Sequence, residues 1–212
     1  MTVDPEAHTV SRYTAAARLN HWVTAFSLIL LAFSGMALFH PALFFLTDLF
    51  GGGQNTRMVH PWIGVVLALG FCGLFLRFWR ANLWNADDNT WMGKLGAVLR
   101  GDDGKLPEIG KYNAGQKLVF WGMSLLILLL LASGLVIWDT YFFQYTSIDQ
   151  KRLAVLLHAM GAVGAILILI VHVYAAIWVR GTIRAMTDGT VTGGWAWRHH
   201  RKWFREELGK RP

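Results

Sequence analysis

The chain has 212 residues, of which 54% are hydrophobic and 14% aromatic, with a mean hydropathy of +0.37 and a formal charge of +7. That exceeds what a soluble core of this length needs, so the composition points to one integral membrane domain, 1–212. The single cysteine, Cys72, excludes an intramolecular disulfide, a cysteine-held iron–sulfur cluster and a C-x-x-C-H haem attachment.

The opening MTVDPEAHT lacks the basic and apolar regions of a cleavable signal, so the first apolar segment is expected to stay as a membrane helix. Four segments are long enough for a hydrocarbon layer of ~30 Å, which needs roughly 20 helical residues. They are Leu19–Phe39, Pro61–Trp79, Leu118–Trp138 and Leu153–Val179. All four must be helical, because backbone polar groups in lipid have to be satisfied within the segment. Trp22, Trp79, Trp121, Trp138 and Trp178 mark their ends, where an amphipathic ring sits at the headgroup level. The fold class expected is an all-α, four-transmembrane-helix bundle.

Between the spans the connections differ in character. The two outer ones are short, whereas the loop 80–117 is long and polar. The tail 180–212 ends in GGWAWRHHRKWFREELGKRP, which reads equally as an interfacial helix or docking surface and as a solvated basic tail. Seventeen lysines and arginines fall in the N-terminus, the middle loop with its edges, and the tail; only Arg57, Lys151 and Arg152 lie on the other side. The positive-inside rule therefore makes both termini and the loop cytoplasmic in a cell inner membrane. The same rule accounts for the positive charge, so lipid rather than nucleic acid is the expected surrounding.

Topology sorts the eight histidines. His8, His199 and His200 lie in the termini and are expected to be solvated. His40 and His60 flank the first outer loop, His21 lies near the start of the first span, and His158 and His172 enclose thirteen apolar residues of the fourth. Fourteen residues of helix advance about 21 Å and bring the two rings within about 40° of one face. Alternating helix direction then matches His60 with His158 in depth on the outer side, and His21 with His172 on the inner side.

Ionisable side chains inside a membrane are costly and face a cavity, a partner or a cofactor. Histidines from two helices can hold a haem iron from both axial sides, which leaves no open position and suits electron transfer. The pattern therefore predicts two stacked b haems, His60/His158 outer and His21/His172 inner. Four separate structural histidines are the plainer alternative. His40 could replace His60; His60 is preferred because it opens a helix, whereas His40 closes one. Gly35, Gly64, Gly161 and Gly164 are candidates for making room for a macrocycle, and Arg18 for pairing with a propionate or serving as an orientation charge.

With these residues in place, the chain resembles the cytochrome b (gamma) subunit of respiratory formate dehydrogenase. The resemblance rests on LNHW at Leu19–Trp22, RMVHPWIG at Arg57–Gly64, LRFW at Leu76–Trp79, GKYNAGQK at Gly110–Lys117, SGLVIW at Ser133–Trp138, LLHA at Leu156–Ala159 and IVHVYAAIWVRGTIRAM at Ile170–Met186. It implies two haem b on the pairs above and a quinone pocket, for menaquinone or ubiquinone, at Asn113, Gly115 and Gln116 with His172. NAGQ could equally be a polar helix start, where asparagine is a favourable cap.

The resemblance further implies partners: a catalytic molybdenum or tungsten (alpha) subunit that oxidises formate outside and an iron–sulfur (beta) subunit that delivers electrons to the outer haem. The chain itself cannot oxidise formate. Moving electrons inward against the membrane potential costs about 2.3 kcal/mol per charge per 100 mV, so such an arrangement stores energy. The nearest competing reading is the cytochrome b of a nickel–iron hydrogenase or of a molybdoenzyme such as thiosulfate reductase. A proton-coupled transporter with a histidine relay and a membrane anchor without redox activity are the readings from other classes.

Overall fold

The computed structural model describes residues 9–101 and 107–209; His8 and Lys105 lie outside them. In chain order the elements are β1 (Thr9–Ser11), α1 (Ala15–Phe39), a 3-10 segment (Pro41–Phe50), α2 (Gly53–Phe78), α3 (Ala86–Gly93), α4 (Leu95–Leu99), α5 (Ala114–Ile137), α6 (Asp139–Phe142), α7 (Ile148–Trp178), α8 (Thr182–Thr187), β2 (Thr190–Thr192), α9 (Gly193–His199) and α10 (Arg201–Gly209). Helices α1, α2, α5 and α7 are long and apolar enough to cross a membrane.

Each long helix starts before the apolar window that marks it, because helix starts obey caps rather than hydropathy. At α5 the Asn113 Oδ1 accepts from the Gln116 backbone N–H at 2.9 Å, and Gln116 Oε1 accepts from the Asn113 N–H at 3.0 Å. Ser147 and Gln150 form the same reciprocal pair at the start of α7. Each pair satisfies two backbone donors that the first helical turn leaves open. Helix α2 runs through the polar stretch GQNTRMV before its apolar part, so Pro61 is interior and His60 does not open the helix. The basis given above for preferring His60 over His40 is thereby corrected.

The chain divides into two compact units. The first is a bundle built from Leu19–Leu76 and Gly122–His172. Its centre joins Leu28 and Leu31 of α1, Leu67 and Phe71 of α2, Met123, Ile127 and Leu131 of α5, and Leu169 of α7. Small residues set the helix approaches, as in membrane packing generally. Side chains at Gly70 and Gly73 of α2 would meet Thr24 and Asn20 of α1, and Gly161 and Gly164 of α7 lie against Leu129, Leu130 and Leu126 of α5. Gly161 and Gly164 thus serve helix contact.

The second unit gathers Met1–Arg18, Arg77–Trp121 and Val173–Pro212. Strand β1 pairs antiparallel with β2, Val10 opposite Val191, adding a short ribbon to an otherwise helical chain. Gly189, between α8 and β2, turns the chain at φ +83° and leaves room for the Tyr13 carbonyl and the Arg18 guanidinium, space that a Cβ would occupy. Arg18 Nη1 donates to the Asp188 carbonyl at 3.0 Å.

Around the ribbon pack Ala185, Trp195, Ala196 and Trp203. The guanidinium of Arg12, 5% exposed, lies over the rings of Trp203, Trp195 and Tyr13 at 4.7, 5.1 and 5.6 Å. Its Nη2 donates to the Lys111 carbonyl at 2.6 Å and reaches His200 Nε2 at 3.3 Å. His200 is 2% exposed, which overturns its expected solvation. The reason is long-range: Nδ1–H donates to the Gly110 carbonyl at 2.8 Å, and Lys202 and Arg205 pair with Asp87 and Glu108 of the loop. The tail as far as Gly209 is therefore a folded part of this unit. Asp88 and Lys117 add a buried ion pair at 2.7 Å, with the ammonium also donating to the Leu83 carbonyl.

Candidate cofactor site

Within the bundle the four intramembrane histidines meet in two pairs across helices. The rings of His60 on α2 and His158 on α7 have centroids 6.2 Å apart with planes at 65°; those of His21 on α1 and His172 on α7 lie 6.4 Å apart at 49°. His40 stands elsewhere: exposed, it caps the 3-10 segment, its Nδ1 accepting from the Ala42 N–H at 3.2 Å.

The spacing can be tested against a bis-imidazole haem. A metal–imidazole nitrogen bond of about 2 Å plus about 1.2 Å from nitrogen to ring centre puts two axial rings about 6.4 Å apart. Both pairs match this separation. Direct hydrogen bonding between the rings would bring the centroids closer, to about 5 Å for an N···N contact near 2.9 Å. Among the described residues no group of three or more His, Cys, Asp or Glu could hold a bare ion. A macrocycle that brings its own four nitrogens needs only the two rings.

Polar surroundings fit the same group. His60 Nδ1 lies 2.7 Å from the hydroxyl of Ser34 on α1, and His158 Nδ1 3.0 Å from that of Ser133 on α5. Each hydroxyl donates its one proton to the carbonyl four residues back, Leu30 at 2.8 Å and Leu129 at 2.7 Å. Its oxygen is then the acceptor and Nδ1–H the donor, so Nε2 carries the lone pair that can bind iron. His21 Nδ1 is buried without a hydrogen-bond partner among the described residues. Gly35 and Gly134 allow His60 and His158 to lie against the neighbouring backbone, since a Cβ there would meet the rings at 3.5 and 3.3 Å. At Gly64 no atom lies within 4 Å of a would-be Cβ.

Sequence reasoning missed Ser34, Ser133 and Gly134. A signal was present: Ser-Gly occurs in both α1 and α5, 26 and 25 residues before the histidine that its serine contacts.

The residues expected at quinone have a local role as well. Asn113 and Gln116 are half-buried and spend their side-chain oxygens on the α5 cap, which leaves both amide NH2 groups as donors. A side chain at Gly115 would press on the Trp91 ring at 3.1 Å. Asn113 also lines a cavity of about 190 Å³ with Asp87, Trp91, Tyr112, Lys202 and Glu206. Burial raises the Tyr112 hydroxyl well above the usual tyrosine pKa, so it is a neutral donor.

Residues 12–189, most of the chain, match the family model of prokaryotic cytochrome b561. The chain belongs to the prokaryotic cytochrome b561 family. This cytochrome is 43% identical over 198 residues to the formate dehydrogenase cytochrome b556(fdo) subunit of Escherichia coli K12, with 93% of each chain covered. It is 37% identical to the formate dehydrogenase cytochrome b556 subunit of Haemophilus influenzae, covering 94% of this chain and 84% of that one. The nitrate-inducible cytochrome b556(Fdn) subunit of Escherichia coli formate dehydrogenase is 38% identical, with 89% and 87% covered. Family membership makes the chain a membrane cytochrome b with b-type haem.

Proposed function

We propose that this cytochrome is the dihaem membrane subunit of a formate dehydrogenase, carrying electrons from an iron–sulfur subunit outside the inner membrane to quinone on the cytoplasmic side. The observation that carries the reading is the pair of ring separations, 6.2 and 6.4 Å, in one four-helix bundle. A haem bound between each pair supplies a one-electron carrier. The histidines hold it from two helices each, with His60 and His158 on the outer side and His21 and His172 on the inner. Along α7 the two levels are about 21 Å apart. The apolar residues between His158 and His172 keep water and ions out of that stretch.

At the inner side, Asn113 and Gln116 offer amide donors to a quinone oxygen, and Gly115 between them lies against the Trp91 ring. The family resemblance adds His172 to this set. Both termini and the loop 80–117 face the cytoplasm in this reading, supported by the seventeen lysines and arginines they carry. Formate oxidation belongs to a separate catalytic subunit.

Purification of the intact complex tests the reading: formate dehydrogenase alpha and beta subunits should accompany this chain, with two b haems per copy. Recovery with a hydrogenase large subunit would overturn the choice of partner, and protein free of haem would overturn the cytochrome function.

A further inference from the structure

The two histidine pairs share a spacing but differ in what stands behind the rings. Ser34 and Ser133 are both buried, 0% and 6% exposed, within the apolar stretches LLAFSGMALF of α1 and LLLLASGLVI of α5. Both close a hydrogen bond to a preceding backbone carbonyl, so folding does not require the histidine as their partner. Each nevertheless places its oxygen on Nδ1 of a histidine from the following long helix, at 2.7 and 3.0 Å. Glycine follows each serine and receives the edge of the same ring. One hairpin, α1 to α2, and the other, α5 to α7, thus build the same half-site twice. At the other level, His21 Nδ1 has no acceptor among the described residues.

An acceptor on the non-ligating nitrogen of a metal-bound imidazole fixes its tautomer and makes it a stronger electron donor. A stronger donor favours ferric over ferrous iron and lowers the reduction potential. We infer that Ser34 and Ser133 are positioning residues that hold the His60/His158 haem at a lower potential than the His21/His172 haem, making the inward electron step downhill between the two. This rests on the dihaem reading proposed above. It adds what that reading lacks, a reason for electrons to run from the outer level to the inner one against the membrane potential.

The test is an optical redox titration of the purified, haem-loaded full chain, with low-temperature electron paramagnetic resonance to assign each haem. Ser34→Ala and Ser133→Ala should keep both haems and raise the potential of the outer one alone. Removing an outer-shell partner commonly changes metal binding about 10–100-fold. A tenfold loss of ferric preference reads as about 59 mV for a one-electron couple. The double variant should shift further than either single one, and Ser133→Thr, which keeps the hydroxyl, should restore most of the shift.

Unchanged potentials in both alanine variants, with two haems bound, would overturn the inference and leave the dihaem reading intact. A shift confined to the haem lost in His21→Ala would also overturn it. Unaltered haem content in His60→Ala and His158→Ala would instead sink the dihaem reading.

Discussion

The histidines of the bundle and the buried histidine of the terminal unit show how surroundings separate a ligand from a structural group. His200 has both ring nitrogens occupied, Nδ1–H donating to Gly110 and Nε2 facing the Arg12 guanidinium. It has no lone pair left for a metal. His60 and His158 have Nδ1 engaged by serine and, among the described residues, no hydrogen bond at Nε2, each opposite another histidine at the separation a haem requires. Burial is common to both settings; the free nitrogen is what distinguishes them.

The comparison breaks most severely if the histidines of the bundle can be removed without consequence. His158→Ala and His172→Ala should each lose one whole haem, seen as half the b-type absorbance per chain, while His200→Gln should lose none. Equal haem content in all three would erase the distinction.

A large stability effect is expected in the terminal unit instead. Lys117→Met leaves Asp88 buried and unpaired, and breaking such a pair costs about 3–5 kcal/mol. Thermal unfolding followed by intrinsic fluorescence should fall accordingly, with the ring pairs in the bundle still able to take up haem. A loss below about 1 kcal/mol would mean that the pair is hydrated.

At the proposed quinone end the effect is smaller. Gln116→Glu keeps the oxygen that caps α5 but removes the amide donors. A quinone analogue should bind roughly fivefold more weakly, the worth of a hydrogen bond near 1 kcal/mol, with both haem spectra unchanged. Undiminished affinity would reduce Gln116 to its capping role.

The finest distinction is in pH. Burial, and then the Arg12 charge, hold His200 well below the usual histidine pKa of 6.5. The folded unit therefore binds fewer protons than the unfolded chain below that pH, so its stability is complete above about 6.5 and is lost as pH falls. Protease resistance of the tail in the intact protein should decline from pH 7 to 5, and His200→Gln should flatten that slope.

Much of the fold was legible because apolar length alone marks a membrane helix, and helical pitch with alternating direction was enough to match His21 with His172 and His60 with His158 in depth. The helix starts were hidden where caps, Asn113 with Gln116 and Ser147 with Gln150, extend helices beyond their apolar windows. The burial of His200 could not be read, since its partners Arg12 and Gly110 lie 188 and 90 residues away. Ser34 and Ser133 escaped notice because a lone serine in a membrane helix commonly just bonds its own backbone. Their second bond depends on a neighbouring helix.

Haem stoichiometry of the purified chain, compared among the unaltered protein, His60→Ala and His40→Ala, tests the central claim most directly. The account predicts two b haems per chain, one after His60→Ala and two after His40→Ala. Two in His60→Ala with one in His40→Ala, or none in the unaltered protein, would contradict it.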